Sequence, residues 1–247
     1  MDVIPRLPHL YDEPFADSSQ IPTFLVAEMT RQHVTVSLSG DAGDELLAGY
    51  DRYFFTDSIW KKIGWIPYPL RTALAAGIKG VSPAILNASL SWLTPHLSSY
   101  GGQGNLGDKL HKGAELLNFR TFEELYLRLI SQWKQPSNLV LSAKEPPSPL
   151  TDSNQWAALT DSMQRMQYLD TISYLPDDIL VKVDRAAMAV SLETRIPFLD
   201  HRVIEYAWQL PQHMKTRNGS GKWILRRLLD RYVPETLMDR PKMGFGV

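Results

Sequence analysis

Apolar residues alternate with small polar ones from Val34 to Leu38, which predicts a short strand. Small residues follow from Ser39 to Gly43 and predict a tight turn, and from Asp44 the apolar spacing becomes that of a helix. Upstream, the apolar residues between about Ile21 and Gln32 predict a helix that leads into the strand. Helix, strand, turn and helix in succession form a piece of an α/β layer structure.

The rest of the chain has mainly helical patterning. Helices are expected over seven further stretches: Leu46 to Leu93 with breaks at its prolines, Phe119 to Gln132, Trp156 to Tyr174, Leu175 to Val190, His201 to Leu210 after an Asp200 cap, Gly221 to Tyr232, and Pro234 to Met238. We therefore expect a mainly α-helical chain with one to three strands, the remnant of a larger parallel α/β sheet.

The loops and the tryptophans complete this first picture. Glycine-rich residues from Ser98 to Asp108 predict a loop. Proline and serine residues from Lys144 to Asn154 predict a second loop, which is the best candidate for an internal boundary. Trp60, Trp65 and Trp92 are expected to pack in the core, since buried aromatic residues mostly serve that purpose.

Composition narrows the function classes. The chain has 247 residues, a net charge of −1 and no basic block, so nucleic-acid binding has no electrostatic support. It has no cysteine, which excludes disulfides, thiolate zinc sites and a cysteine nucleophile within it and favours a reducing cytoplasm. The six histidines are scattered, and no apolar stretch is long enough to span a membrane.

The turn after the predicted strand carries candidate chemistry. Gly40 and Gly43 tolerate positive φ and let a ligand approach the backbone, a geometry suited to phosphate. Asp41, Asp44 and Glu45 crowd carboxylates at the same place, so a polyphosphate there would need Mg²⁺ between them. A purely structural alternative remains, in which Asp41 is an N-cap and Asp44 closes a capping box.

Two other sets of charged residues could serve a site or simply be solvated. Lys182, Asp184 and Arg185 lie outside the apolar stripe of the helix expected from Leu175 and are also compatible with an exposed polar face. Lys242 lies between a proline and a glycine, where it could be aimed at a ligand or be an ordinary surface lysine.

Several separated stretches, taken together, fit one family. Ser39 to Glu45, Leu175 to Asp200 and Arg240 to Gly246 resemble the synthetase domain of glutamine-dependent asparagine synthetases, and so do Tyr11 to Ser19 and Lys222 to Arg227. The resemblance covers nearly the whole chain in order and is weakest in its middle. Agreement among motifs in the right order is more specific than any single motif.

The resemblance implies a fold and a reaction. The fold would be the α/β type of pyrophosphate-releasing ATPases, the adenine-nucleotide α-hydrolase-like class. The domain would use ATP and Mg²⁺ to adenylate the side-chain carboxylate of aspartate. Ammonia released from glutamine by a separate glutaminase domain would attack the β-aspartyl-AMP, giving asparagine, AMP and pyrophosphate.

The resemblance also implies residue roles. Ser39 and Gly40 match positions that contact ATP, and Asp44 matches a magnesium-binding carboxylate. Asp41 matches a glutamate of the more usual family form, which is linked to the acyl-adenylate step and to deprotonation of the amine nucleophile. Lys242 matches a lysine that stabilises the adenylation transition state. Asp41 and Lys242 are therefore expected to face one cleft.

A second tier of charged residues is expected around that cleft. These residues are Lys182, Glu193, Arg195 and Lys222, with Lys222 expected to assist nucleotide binding. Carboxylates and amines of this kind suit the reaction, because adenylation develops negative charge and ammonium must lose a proton before it attacks.

The sequence also departs from the family pattern. Residues 1–247 contain neither the Ser-Gly-Gly-x-Asp-Ser phosphate loop nor the glutaminase domain, so they are expected to be a partial synthetase domain that does not make asparagine alone. Related enzymes that amidate other acceptors or form β-lactams remain an alternative, as does a helical interaction module without chemistry. A homodimer remains open as a partner.

Overall fold

The computed structural model describes residues 3–89, 106–131, 133, 138–142, 144 and 146–238. Its strands are β1 (Val36–Leu38) and β2 (Glu193–Arg195). Its α-helices, in chain order, are α1 (Leu7–Tyr11), α2 (Gln20–Arg31), α3 (Gly43–Leu46), α4 (Asp51–Ile63), α5 (Tyr68–Lys79), α6 (Pro83–Ser89), α7 (Leu106–Leu116), α8 (Phe122–Ile130), α9 (Ser162–Ile172), α10 (Val181–Met188), α11 (His201–Gln209), α12 (Gln212–Lys215), α13 (Trp223–Leu229) and α14 (Glu235–Met238).

The chain divides into two compact units. Unit 1 contains residues 1–54 and 146–247, and unit 2 contains residues 55–145. The predicted loop from Lys144 to Asn154 holds one of the two boundaries. The other boundary falls between Phe54 and Phe55, inside α4, where the sequence gives no break in helical patterning. None of the helices in the described residues is long and apolar enough to cross a membrane.

The two strands of unit 1 form a parallel pair. Ser37 of β1 lies opposite Thr194 of β2. The ladder continues past β1, because the backbone N–H of Ser39 donates to the carbonyl of Arg195 at 2.9 Å. The fold-class prediction, a mainly helical chain with one to three strands, is confirmed for the described residues. The apolar positions of β1 are not buried, and Leu38 is 75% exposed.

The core of unit 1 has two parts. In the first part, α2 packs against α10 through buried side chains: Phe24, Ala27, Ala186, Ala187 and Leu192. In the second part, α3 packs against the segments around α11 through another set: Ala42, Leu46, Leu47, Leu175, Ala207 and Leu210. The α2 bounds agree with the predicted helix to within one residue at each end.

The stretch from Leu175 to Val190 differs from the regular helix that was expected. It begins as a π-helix over Leu175–Leu180 and continues as α10. A π-turn changes the angular positions of the side chains that follow, and such turns are frequent at functional sites. Asp200 caps α11 as predicted, accepting a hydrogen bond from the backbone N–H of Arg202 at 2.9 Å.

Unit 2 is helical throughout its described elements. Trp60 contacts Phe122 edge-on, with ring centroids 6.1 Å apart, in agreement with its predicted packing role. Trp65 contradicts that prediction, because it follows the end of α4 and is 78% exposed. The predicted loop from Ser98 ends earlier than expected, since α7 already begins at Leu106. Residues 98–105 and Trp92 lie outside the described residues.

Candidate functional site

The turn after β1 has a different conformation from the one its glycines suggest. Ala42 takes the left-handed backbone conformation, with φ 65°, whereas neither Gly40 nor Gly43 has a positive φ. Gly43 is closely packed instead, because a Cβ there would lie 3.3 Å from the ring of Phe198, which would have to move by a few tenths of an ångström. A Cβ on Gly40 would meet nothing within 4 Å, so the backbone at Gly40 is open to a ligand.

The side chain of Asp41 does not cap a helix. Its Oδ2 accepts a short hydrogen bond from the hydroxyl of Ser39. The N-cap residue of α3 is Ala42, and no side chain bonds the first N–H groups of that helix. The capping-box alternative is therefore absent from this turn.

Ser39 and Asp41 line a cavity of about 420 Å³ at the carboxyl end of β1. The wall opposite them comes from α2 and α10. Its charged lining residues are Asp41 and Lys182, and the polar remainder consists of hydroxyl side chains: Ser19, Thr23, Thr30, Ser37, Ser39 and Thr194. Such a lining can orient a polar ligand through a few convergent groups above an apolar floor.

Lys182 is the cation of this cavity and is held by two carboxylates. Its Nζ donates to Oδ2 of Asp17 at 2.5 Å and lies 3.7 Å from Oδ2 of Asp178. The side chain of Lys182 is 9% exposed. Asp17 is itself fixed by Ser19, whose backbone N–H and hydroxyl both donate to it at 2.8 Å.

The two carboxylates around Lys182 are shifted in opposite directions. Burial raises the pKa of Asp17, but hydrogen bonds from Lys182 and Ser19 outweigh burial and hold the pKa below its usual value. Burial raises the pKa of Asp178, and the attraction of Lys182 does not fully offset it. The Oδ2 atom of Asp178 is buried and accepts no hydrogen bond in the described structure. Lys182 therefore helps to lower the pKa of Asp17, whereas the pKa of Asp178 stays above its usual value.

Asp44 is not among the residues that line this cavity, and it pairs with a distant residue. The Nζ of Lys222 donates to Oδ2 of Asp44 at 2.8 Å, and each side chain is about a third exposed. The backbone of Lys222 is fixed as well, since its φ is 56° and its N–H donates to the carbonyl of Leu47 at 2.9 Å.

Two glycines allow the segments around Asp44 and Lys222 to cross. A Cβ on Gly49 would lie 2.0 Å from Oδ1 of Asp44 and 2.4 Å from Cε of Lys222. A Cβ on Gly221 would lie 1.9 Å from the carbonyl oxygen of Ala48. Both distances are far below contact range, so the ion pair depends on glycine at these two positions.

The short helix α3 is anchored to α9 by buried polar contacts. The hydroxyl of Tyr50 donates to Oε1 of Glu45 at 2.6 Å, and Nε2 of Gln167 donates to the carbonyl of Glu45 at 2.8 Å. Burial raises the pKa of Glu45, and the hydrogen bond from Tyr50 opposes that shift. Asp170 on α9 accepts from Tyr53 at 2.6 Å. These contacts fix the turn that carries Asp41 and Asp44.

The structure thus sorts the predicted site residues into separate groups. Ser39, Gly40 and Asp41 lie together on the turn, whereas Asp44 and Lys222 form a pair that does not line the same cavity. Lys242 lies outside the described residues, so its predicted approach to Asp41 stays a prediction.

The remaining second-tier residues have different surroundings. Lys182 lines the cavity as expected. Glu193 and Arg195 instead pair with each other at 2.8 Å on β2, with both side chains more than half exposed. Side chains alternate between the two faces of a strand, so residues two positions apart lie on the same face. Glu193 and Arg195 both lie on the face of β2 that is exposed to solvent.

Sequence reasoning missed Asp17 and Asp178 as partners of Lys182. The spacing of Asp178 and Lys182, four residues apart on an expected helix, was the one local signal. Asp17 had no comparable signal, because a residue 165 positions away reaches Lys182 only through the packing of α2 on α10.

The donor set can be tested for the magnesium ion that the fold class implies. Among the described residues, no group of three or more His, Cys, Asp or Glu side chains converges on a metal-sized site. Mg²⁺ bound with a nucleotide needs only one or two carboxylates, because phosphate and water oxygens fill its other positions. Asp44 offers one such carboxylate, which in this structure is paired with the Lys222 ammonium at 2.8 Å.

Comparisons with known proteins agree on one family. The sequence matches the asparagine synthase family over residues 1–247. It is 32% identical over 250 residues to asparagine synthetase [glutamine-hydrolyzing] 1 of Bacillus subtilis, covering 100% of this chain and 36% of that protein. It is 34% identical to a putative asparagine synthetase [glutamine-hydrolyzing] of Mycobacterium tuberculosis, covering 99% of this chain and 34% of that protein.

A shorter match extends to the human asparagine synthetase [glutamine-hydrolyzing], 38% identical over 70 residues, which covers 27% of this chain and 12% of the human protein. No solved structure gives a significant match. The chain spans about a third of the length of the bacterial relatives that it matches end to end. With a family match along its whole length, this chain belongs to the asparagine synthase family.

Proposed function

We propose that this chain forms part of an ATP-dependent, amide-forming ligase that adenylates the side-chain carboxylate of aspartate. Ammonia derived from glutamine then attacks the β-aspartyl-AMP, and asparagine, AMP and pyrophosphate are released. The observation that carries the proposal is the turn after β1, where Ser39 and Asp41 line a cavity together with Lys182, in a chain that matches the family throughout.

The position of this turn supports a nucleotide-dependent reaction. In open parallel sheets, ligands bind in the crevice at the carboxyl ends of the strands. The turn lies at that end of β1, and the backbone at Gly40 is unobstructed. Ser39 is held by Asp41 through its hydroxyl, so both side chains are oriented before a ligand arrives.

Asp41 has the chemistry needed for the amide-forming step. Ammonium must lose a proton before its nitrogen can attack the acyl carbon, and a nearby carboxylate can accept that proton. Asp41 presents such a carboxylate to the cavity with its Ser39 partner. In this proposal Ser39 and Gly40 contact ATP, Asp41 takes the proton of the nucleophile, and Lys242 stabilises the charge that develops during adenylation.

Asp44 would hold Mg²⁺, whose positive charge would neutralise the phosphates of ATP. The surrounding residues keep the Asp44 carboxylate in place, since α3 is anchored through Glu45 to Tyr50 and Gln167. Lys182, bound by Asp17 and Asp178, provides a fixed positive charge on the wall of the cavity.

The adenylation step can be tested by isotope transfer. The complete gene product that carries these residues would be incubated with ATP, Mg²⁺, glutamine and aspartate labelled with ¹⁸O in its side-chain carboxylate. An acyl-adenylate passes one carboxylate oxygen to the phosphate of AMP when ammonia attacks. We therefore expect ¹⁸O in AMP, together with unlabelled pyrophosphate, by mass spectrometry.

The same experiment separates the alternatives. ADP and phosphate in place of AMP and pyrophosphate would contradict adenylation. AMP formation with another acceptor but not with aspartate would contradict the substrate while keeping the chemistry. The absence of any ATP consumption, in a protein that is folded by circular dichroism, would favour the interaction-module alternative.

A further inference from the structure

The ion pair between Asp44 and Lys222 occupies a site built for close approach. The two residues are 178 positions apart and meet where residues 47–49 cross residues 221–222. Glycine is required at position 221, because a Cβ there would strike the backbone of Ala48, and a Cβ on Gly49 would displace the end groups of the pair itself. The pairing is therefore a defined feature and not a chance surface contact.

The Lys222 ammonium lies on the side of Oδ2 of Asp44 where a metal ion bound to that oxygen would lie. Its Nζ is 2.8 Å from Oδ2, so a positive charge already fills the coordination side of that carboxylate oxygen. Mg²⁺ binds carboxylate oxygens at about 2.0–2.1 Å and needs room for water and phosphate ligands around it. A metal ion and the Lys222 ammonium cannot both occupy this position.

We propose that Lys222 is the resident counter-ion of Asp44, and that a divalent cation displaces its ammonium when it binds. Lys222 would then be a positioning residue that holds Asp44 ready in the metal-free protein, and not a direct ligand of the nucleotide. The inference rests on the proposed function for the role of Asp44 as the metal-binding carboxylate.

The geometry allows the side chain to leave while the backbone stays in place. The backbone N–H of Lys222 is fixed to the carbonyl of Leu47 at 2.9 Å, and Gly49 leaves the lysine stem without a contacting side chain on that face. The Lys222 side chain is 32% exposed, so its ammonium can turn into water. Strong hydration of a lysine ammonium makes that exchange feasible.

The inference can be tested with Mn²⁺ as the probe and without any nucleotide. Free Mn²⁺ would be measured by electron paramagnetic resonance during titration of the wild-type chain, Lys222→Met and the double variant Lys222→Met/Asp44→Asn. Removing the competing charge should tighten Mn²⁺ binding by about tenfold or more, because the Coulomb energy of two unit charges at this distance in water corresponds to about that factor. The double variant should lose that gain.

Arg6→Met is the matched control. Arg6 forms an ion pair with Glu28 at 3.0 Å, and both side chains are more than 40% exposed, so this variant also removes the cation beside a carboxylate but not at a chain crossing. It should leave Mn²⁺ affinity within about twofold of wild type, because a surface ion pair of this kind contributes little. Lys222→Gln provides a second neutral variant, should the methionine variant misfold.

The outcomes are decisive and separate from the proposed function. Unchanged or weaker Mn²⁺ binding in folded Lys222→Met or Lys222→Gln would overturn the inference, as would a gain that survives in the double variant. Tighter binding through Asp44 supports it even if the ¹⁸O experiment finds another acceptor. Failure of adenylation would leave the cation exchange at Asp44 standing on its own measurement.

Discussion

Asp41 and Asp44 are three positions apart, but they have different partners. Asp41 is hydrogen-bonded to Ser39 and lines the cavity with Lys182, whereas Asp44 is paired with Lys222 at a chain crossing. Under the proposed function, one short motif would thus supply both a base for the amide-forming step and a carboxylate for a metal ion. The residue types were evident from the sequence, but their separate directions were not, because they depend on the left-handed conformation at Ala42.

The surroundings of Lys182 predict that Asp17→Asn and Asp178→Asn change the free energy of unfolding differently, and that the difference depends on pH. The pKa of Asp17 is lowered in the folded protein, so its charge stabilises the fold above the unfolded pKa of about 3.9. That contribution is lost as pH falls through the folded pKa. The pKa of Asp178 is raised, so its charge opposes folding at neutral pH and stops doing so as the group protonates.

Asp17→Asn should therefore lower the free energy of unfolding at pH 7, and Asp178→Asn should raise it or leave it unchanged. Both differences should shrink as the pH is lowered below the ordinary aspartate range. Urea unfolding at a series of pH values measures both differences. Asp12→Asn is the control, because Asp12 forms an exposed ion pair with Arg185 of α10. A loss of stability in Asp178→Asn as large as in Asp17→Asn would contradict the assignment.

At the scale of elements, some helices could be predicted from the sequence and others could not. The helix α2 and the Asp200 cap of α11 agree with their local patterns, because an apolar stripe and a capping carboxylate are decided by nearby residues. The π-helix over Leu175–Leu180 was not foreseen, since its local pattern resembles that of an ordinary helix. The crossing of residues 47–49 with 221–222 was also not foreseen, because only the folded chain brings them together.

That crossing gives a sharp prediction for glycine substitutions. Gly221→Ala should lower the free energy of unfolding by about 2 kcal/mol or more, because the new Cβ would lie 1.9 Å from a backbone oxygen that has little room to move. Gly77→Ala in α5 is the matched comparison, as its Cβ would meet nothing within 4 Å. It should raise stability by about 0.5–1 kcal/mol, the usual gain of alanine over glycine within a helix.

Chemical denaturation of both variants checks the pair of values. Equal effects of the two substitutions would show that the crossing does not restrict position 221. A destabilised Gly77→Ala with an unaffected Gly221→Ala would contradict the packing described for both units.

At the scale of the whole molecule, a parallel pair of strands carries the candidate site. A sheet of two strands is marginal alone, and Val36 and Leu38 of β1 present exposed apolar side chains. The chain also spans about a third of its full-length bacterial relatives. These observations support the expectation that further strands complete the sheet in the whole protein, a feature that the patterning of this chain could only suggest indirectly.

The central claim is that Asp41 belongs to an aspartate-adenylating site at the end of β1. Asparagine formation from aspartate, ATP and ammonia, measured on the complete gene product, tests it most directly, and aspartate-dependent exchange of labelled pyrophosphate into ATP reports adenylation separately. Asp41→Glu keeps a carboxylate and should retain asparagine formation within about tenfold of wild type, whereas Asp41→Asn should lower it by about 10²-fold or more, the usual contribution of a positioned acid or base. Asparagine formation that is unchanged in Asp41→Asn, with Asp200→Asn as the folded control, would contradict the account.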